Sequence, residues 1–301
     1  MMRSFTAATR LRVFFLPITV WVLGCCYNTA FGGEISDGDG RENTLPAQYR
    51  RIVSMAPVLT ELVYQLGGEE RLAGRSSGCT LPEAAKKLPV CGDYTMPKVE
   101  LVAAQRADLL ISDMIFQSTA VAALGNLGIN VELLPLEKID DYKRSLRRLG
   151  ALFNRVEAAE QALKRLEEFI QCREKKLAEN SAELKPKILI MIWDSPLIVA
   201  GGGSYLNYYI GLAGGVNAAE KIPQDYFKCS VEWVLKNPPD IIIFPEKSAE
   251  KPLPLGFEML PAVKNKLVFT DIKSDTLFRA NIYIERAVKY IENCIERFRK
   301  K

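Results

Sequence analysis

The side chains with which this chain could do chemistry are carboxylates, cysteines, tyrosines and arginines, because it contains no histidine. That absence removes the Ser-His-Asp and Cys-His mechanisms, the commonest general base and the commonest zinc ligand. A bare transition-metal site would have to be assembled from carboxylates and thiolates alone. Asp113, Asp194 and Glu246 could supply carboxylates for acid–base work. No nucleophile stands in a legible pairing with a base, so an enzyme is the weakest reading. Five cysteines lie beyond the N-terminal region (Cys79, Cys91, Cys172, Cys229, Cys294), none in C-x-x-C spacing, and they give zinc or redox chemistry little support. Cys79 and Cys91 suit a bridge in an oxidising compartment or two separate buried thiols equally well. Gly201-Gly202-Gly203-Ser204 invites comparison with a phosphate loop. It lacks the lysine of a P-loop and the dinucleotide glycine spacing, so a tight turn is the expectation.

One pattern occurs twice. Glu100-Leu101-Val102 precedes Asp108-Leu109-Leu110-Ile111, and Glu232-Trp233-Val234 precedes Asp240-Ile241-Ile242-Ile243, with the same Glu-to-Asp spacing. In each, a glutamate opens a short helix that runs into a buried strand. Pro97 suits the start of the first helix, and Ser230 can cap the second. A single such glutamate only complements the helix dipole. The repetition of residue, spacing and unit marks two equivalent surface points.

The elements that must position these groups alternate between strand and helix. Residues 52–55, 108–111 and 131–134 read as buried strands, and 60–66 as a helix closed by Gly67-Gly68. The second half repeats the plan, with strands at 187–193, 240–244 and 267–269. Its helices fall at 205–212, closed by Gly214-Gly215, and at 283–298. Between the halves Val156, Ala159, Leu163, Leu166, Ile170 and Leu177 recur at three- and four-residue steps among charged residues. This is a long amphipathic helix. Flanked by similar lobes, it reads as a rigid spine rather than a coiled-coil arm. The expected fold class is α/β: two Rossmann-like lobes joined by a single long spine helix. The N-terminal lobe covers residues 50–152, the spine 153–181 and the C-terminal lobe 186–301.

Residues 1–24 have the form of a secretory signal. Arg3, Arg10 and Arg12 precede an apolar run at 13–23 that is too short for a membrane helix. Val22-Leu23-Gly24-Cys25 fits a lipoprotein cleavage site with Cys25 lipidated; ordinary cleavage near Ala30 is the alternative. Residues 25–48, polar and rich in Gly, Asp and Asn, read as a tether. Of the 40 basic residues three leave with the signal, so 37 face 36 acidic ones. No basic stripe remains to neutralise phosphates, and nucleic acid is not an expected partner.

The ordered runs RIVSMAPVLTELVYQLGGEERLAG (51–74), LPEAAKKLPVCGDY (81–94), VELVAAQRADLLI (99–111), AGGVNA (213–218), SVEWVLKNPPDIII (230–243) and LPAVKNKLVFTD (260–271) resemble the cobalamin/ferric-siderophore class of periplasmic binding proteins. The resemblance covers about residues 50–290. It implies a ligand cleft between the lobes, no cofactor of the protein's own, and the permease of an ATP-driven (ABC) importer as partner. It also implies that Glu100 and Glu232, one per lobe, meet arginines on the two permease subunits. Loops at the carboxyl ends of strands should line the cleft. Met55, Tyr94, Met114, Trp193, Tyr205 and Arg279 on those loops are the candidate ligand contacts, although each aromatic alone is as well explained by a core. Such a set suits a large, partly apolar ligand. Gly78, Cys79 and Leu81 stand where cobalamin binders tend to place tyrosines, and Ile282-Tyr283 where the class has Pro-Arg. The metal chelate therefore stays open among cobalamin, a ferric siderophore and haem, for which tyrosine would have to replace histidine. A free metal ion or an oxyanion is the alternative ligand.

Overall fold

The structure is a computed structural model and describes residues 36–37, 49–114, 116, 118–180, 184–245 and 253–301. The signal segment, Cys25, most of the tether, Ile115 and Glu246 lie outside the described residues.

The first lobe runs β1 (Ser36–Asp37), β2 (Ile52–Ser54), α1 (Pro57–Leu66), β3 (Leu72–Arg75), β4 (Gly92–Asp93), β5 (Met96–Pro97), α2 (Val99–Ala104), β6 (Leu109–Ser112), α3 (Ser118–Asn126), β7 (Asn130–Leu133) and α4 (Ile139–Leu152). Its main sheet is parallel, in the order β1-β7-β6-β2-β3. Chain order reverses beside β2, so the loops leaving β2 and β6 diverge and open a crevice at their carboxyl ends. Ile52, Val53, Leu109, Leu110 and Ile111 are buried, as strands covered on both faces require. Two residues of the segment read as a tether depart from that reading. Ser36–Asp37 pairs with β7, because the edge of a parallel sheet offers unpaired peptide groups to any passing chain. Pro97 also departs from expectation. It belongs to β5 opposite Gly92, and α2 begins only at Val99, with Lys98 at its N-cap.

α5 (Val156–Glu179) then crosses the molecule, at about 1.5 Å per residue a rod of roughly 36 Å. Ala159, Leu163, Leu166 and Ile170 form its buried stripe. It packs on α4 at one end and on the first helix of the second lobe at the other. The α4 contact is close: a Cβ on Gly150 would stand 2.6 Å from Ala159 Cβ, so glycine is needed there.

The second lobe contains β8 (Lys187–Asp194), β9 (Leu197–Ala200), α6 (Tyr205–Ala213), β10 (Val216–Asn217), β11 (Tyr226–Lys228), α7 (Val231–Lys236), β12 (Ile241–Ile243), α8 (Pro261–Lys264), β13 (Val268–Phe269), α9 (Ser274–Phe278) and α10 (Ile284–Arg299). β8, β12 and β13 are parallel, and β10 pairs in parallel with the start of β8. The plan of the first lobe is not fully repeated. β8 runs on past β10 and folds back as the antiparallel β9, which pairs with β11. A hydrophobic cluster continues from Ile52 and Ile111 through Leu163 and Leu166 of α5 to Ile188 and Ile241. Residues 31–301 accordingly form one compact unit.

Candidate functional site

A cleft of about 690 Å³ opens between the two lobes. The first lobe lines it from the carboxyl side of its sheet. Pro57 and Val58 start α1, Tyr94 comes from the β4–β5 turn, Asp113 and Met114 follow β6, and Pro135 to Lys138 follow β7. The second lobe contributes Ile192 near the end of β8, Tyr205 at the start of α6, Tyr226 on β11, and Phe278 and Arg279 at the end of α9. Tyr205 is held in place because Ser204 caps α6, accepting from Asn207 N at 3.3 Å. Its own hydroxyl donates to the Leu277 carbonyl at 3.0 Å.

Of the candidate contacts, Tyr94, Met114, Tyr205 and Arg279 therefore come together around one cavity. Met55 does not. It is 0 % exposed and packs with Val53, Cys91 and Val102 beneath the sheet, because the chain turns inward before α1. Trp193 also stays away. It is 54 % exposed, and its indole N–H donates to the Ser195 carbonyl at 2.8 Å. The alternation of β8 turns Ile192 toward the cleft instead.

The cleft is rich in carboxyl groups. The Tyr94 hydroxyl donates to Asp113 Oδ1 at 2.9 Å. Burial raises the Asp113 pKa, although that hydrogen bond and Arg279 oppose the shift. Burial, then Asp113, push the Tyr94 phenol far above its ordinary value. Glu137 is raised by burial and by Asp225, against the pull of Lys138. Burial takes Tyr226 up to about 12, and its hydroxyl is hydrogen-bonded to that of Tyr205.

Among the described residues, the two cations that line the cleft are engaged across the lobe boundary. Lys138 Nζ lies 3.3 Å from Asp225 and also donates to the Gly203 carbonyl. Arg279 Nε lies 3.1 Å from Glu61 Oε1, and Arg279 Nη2 lies 3.3 Å from Asp275. The Arg279–Glu61 contact is held by charge, since those two facing atoms lack the alignment of a hydrogen bond. Tyr283 completes the group by donating to Glu61 Oε2 at 2.5 Å.

Glu137 and Lys138 were missed by sequence reading, although they follow a strand's carboxyl end and the loop rule reaches them. Tyr226 carried no such signal, since it lies on an antiparallel strand created by the β8–β9 reversal. The glycine run is a turn. Gly201, Gly202 and Gly203 donate to the carbonyls of Asp225, Ile222 and Gln224, so their N–H groups do not face a phosphate. A Cβ on Gly202 would stand 2.0 Å from the Glu220 carbonyl oxygen. Cys79 and Cys91 are separate buried thiols. Cys79 Sγ sits 3.1 Å from Thr60 Oγ1, and Cys91 fills the space above Gly74.

Glu100 and Glu232 are both exposed, each the second residue of its helix. Ser230 Oγ accepts from Trp233 N at 3.2 Å, and a hydrogen bond with Ser230 lowers the Glu232 pKa. Exposed apolar side chains accompany both: Val90, Met96 and Leu101 near Glu100, and Leu255 and Met259 on the segment packed over α7.

Two α/β lobes, one crossing helix and a cleft between them define a solute-binding protein, and residues 52–274 match the periplasmic binding protein family. The chain belongs to that family. It is a binding protein rather than an enzyme, and its family places it outside the cytoplasm. It is 27% identical over 205 residues to a vitamin B12-binding protein of Pectobacterium carotovorum, covering 66% of this chain and 74% of that one. It is 24% identical over 275 residues to an ABC transporter substrate-binding lipoprotein of Bacillus subtilis, YvrC, covering 88% and 85%. Its fold also matches the solved vitamin B12-binding protein BtuF of Vibrio cholerae, with a TM-score of 0.72 at 22% identity over 85% of this chain and 100% of that one.

Proposed function

We propose that this protein is the extracytoplasmic solute-binding component of an ABC importer, which captures a metal chelate such as cobalamin or a ferric siderophore and delivers it to the permease. The observation that carries the reading is the interlobe cleft. Its size falls in the range of small-molecule sites. Tyr94, Met114, Tyr205, Tyr226 and Phe278 line it, offering flat and polarisable surface to a large, partly apolar ligand. The names of the Pectobacterium and Bacillus relatives point the same way.

Glu100 and Glu232 are the proposed docking points, since two separated acidic groups define both place and orientation on a partner. Residues 1–24 act as the export signal and Cys25 carries a lipid anchor, in keeping with the lipoprotein from Bacillus. Intact mass of the mature chain decides the anchor: a chain beginning beyond Cys25 and carrying no lipid would remove it.

A ligand that binds only the folded state raises stability by about 2.7 kcal/mol at a hundredfold excess over Kd. Melting with cyanocobalamin, ferrichrome, ferrioxamine B, hemin, zinc and molybdate is therefore expected to show a rise for a chelate. Stabilisation by zinc or molybdate alone would transfer the site to a free ion or an oxyanion.

A further inference from the structure

We propose that the cleft selects its chelate by charge, with Asp113 and Glu137 as specificity-determining groups that accept from donor groups on a neutral or cationic ligand and exclude anionic ones. The inference rests on the binding reading above and narrows it to a ligand class. Among the described residues, three carboxylates, Asp113, Glu137 and Asp141, line the cleft, against the two cations Lys138 and Arg279. Both cations already answer a carboxylate. Lys138 is paired with Asp225 across the lobes at 3.3 Å. Arg279 stands between Glu61 and Asp275, at 3.1 Å and 3.3 Å. An anion drawing on Arg279 would have to compete with Glu61, and separating that buried pair leaves the displaced charge unanswered; the Lys138–Asp225 pair is exposed and resists displacement only weakly.

The polar groups facing the ligand are consistent with this. Asp113 accepts from Tyr94 on one oxygen, and an ionised carboxylate has capacity for further donors. The same hydrogen bond works against Tyr94 as a metal ligand. A phenolate would have to form beside an existing carboxylate, in a buried setting that already favours the phenol. Without histidine, direct ligation of the chelated metal by the protein has few remaining groups. Recognition then falls on the periphery of the chelate. Amide, hydroxyl or ammonium groups there can donate to Asp113 and Glu137, whereas peripheral carboxylates or catecholates meet like charge.

The test is an affinity series in which charge varies, at nearly constant shape for the cobalamins. Cyanocobalamin is compared with its monocarboxylic acid derivatives, in which one peripheral amide is hydrolysed. Neutral ferrichrome and cationic ferrioxamine B are compared with trianionic ferric enterobactin. Within whichever chelate class binds, the neutral or cationic member should bind at least about tenfold more tightly than the anionic one, because like-charge juxtaposition is unfavourable. In the Asp113→Asn/Glu137→Gln double variant the ratio should fall toward one, with unliganded melting recorded to show that the variant is folded. Equal affinity for both charge types in the unaltered protein would overturn charge selection while leaving chelate binding standing. So would an unchanged ratio in a folded double variant. Failure of every chelate of either charge would remove the binding reading itself, and the proposal with it.

Discussion

Arg279 serves two surfaces at once. It lines the cleft, and it also answers Glu61, a carboxylate only 3 % exposed on α1 of the opposite lobe. Burial lifts the Glu61 pKa above the ordinary carboxylate value of 4.5, while Tyr283 and Arg279 pull it down. The folded chain therefore holds this proton more tightly than the unfolded chain. The stability from Glu61 is complete below the ordinary value and is lost as pH rises through the raised one. Arg279→Met removes the compensating charge, and at pH 7 it should cost about 3 kcal/mol, the lower end for breaking a buried pair. The loss should be smaller at pH 5 than at pH 7, because protonating Glu61 removes the charge that Arg279 answers, and Glu61→Gln in the same chain should recover much of it. Denaturant titrations at the two pH values measure this. An equal loss at both would assign the effect to packing rather than charge.

At the scale of the element, α5 decides how the lobes can move. Its apolar stripe belongs to the cluster that reaches into both sheets, and Arg173 near its end donates to the Leu212 carbonyl and pairs with Glu292 of α10. A hinge here would have to break helix hydrogen bonds and expose that stripe together. Other contacts, such as Asn281 Nδ2 donating to the Glu137 carbonyl at 3.2 Å, also tie the lobes. Ligand binding should therefore change the lobe-to-lobe distance by only a few ångströms. Spin labels on Leu127→Cys and Met259→Cys, both exposed positions, with the exposed Cys172 replaced by Ser, report it. A hinge closure of domain size on binding would contradict the rigid spine.

For the whole molecule, the two glutamates matter together. Each complements its own helix dipole, and the neighbouring Ser230 hydroxyl lowers the Glu232 pKa. A purely local role and a docking role separate cleanly in the double variant Glu100→Arg/Glu232→Arg. Docking predicts that uptake in cells is abolished while chelate affinity and melting temperature barely change. A local role predicts a small loss of stability with transport intact. The exposed Val90, Met96 and Leu101 near one glutamate, and Leu255 and Met259 near α7, give each lobe the apolar surface expected beside a charged contact at an interface.

Much of this was legible in the residues alone. The short β-branched run 241–243 reads as a buried strand, and the stripe from Ala159 to Ile170 as one helix face, because both patterns are local. The rule that ligands meet the carboxyl ends of strands located Tyr94, Met114 and Arg279, and the start of a helix located Tyr205. What pattern could not supply was the direction of single side chains and the partners of charges. Met55 follows a strand and Trp193 lies at the end of one, yet a turn buries the first and strand alternation points the second outward. Glu61 reads as an ordinary surface residue of an amphipathic helix until the second lobe covers it. The engagement of Lys138 by Asp225, 87 residues away, depends on how the lobes pack. The sequence by itself determined the main buried strands and long helices and their order, since those follow from local period and propensity. Only the tertiary structure decided which charges remain to meet a ligand, since that is a property of groups brought together from distant parts of the chain.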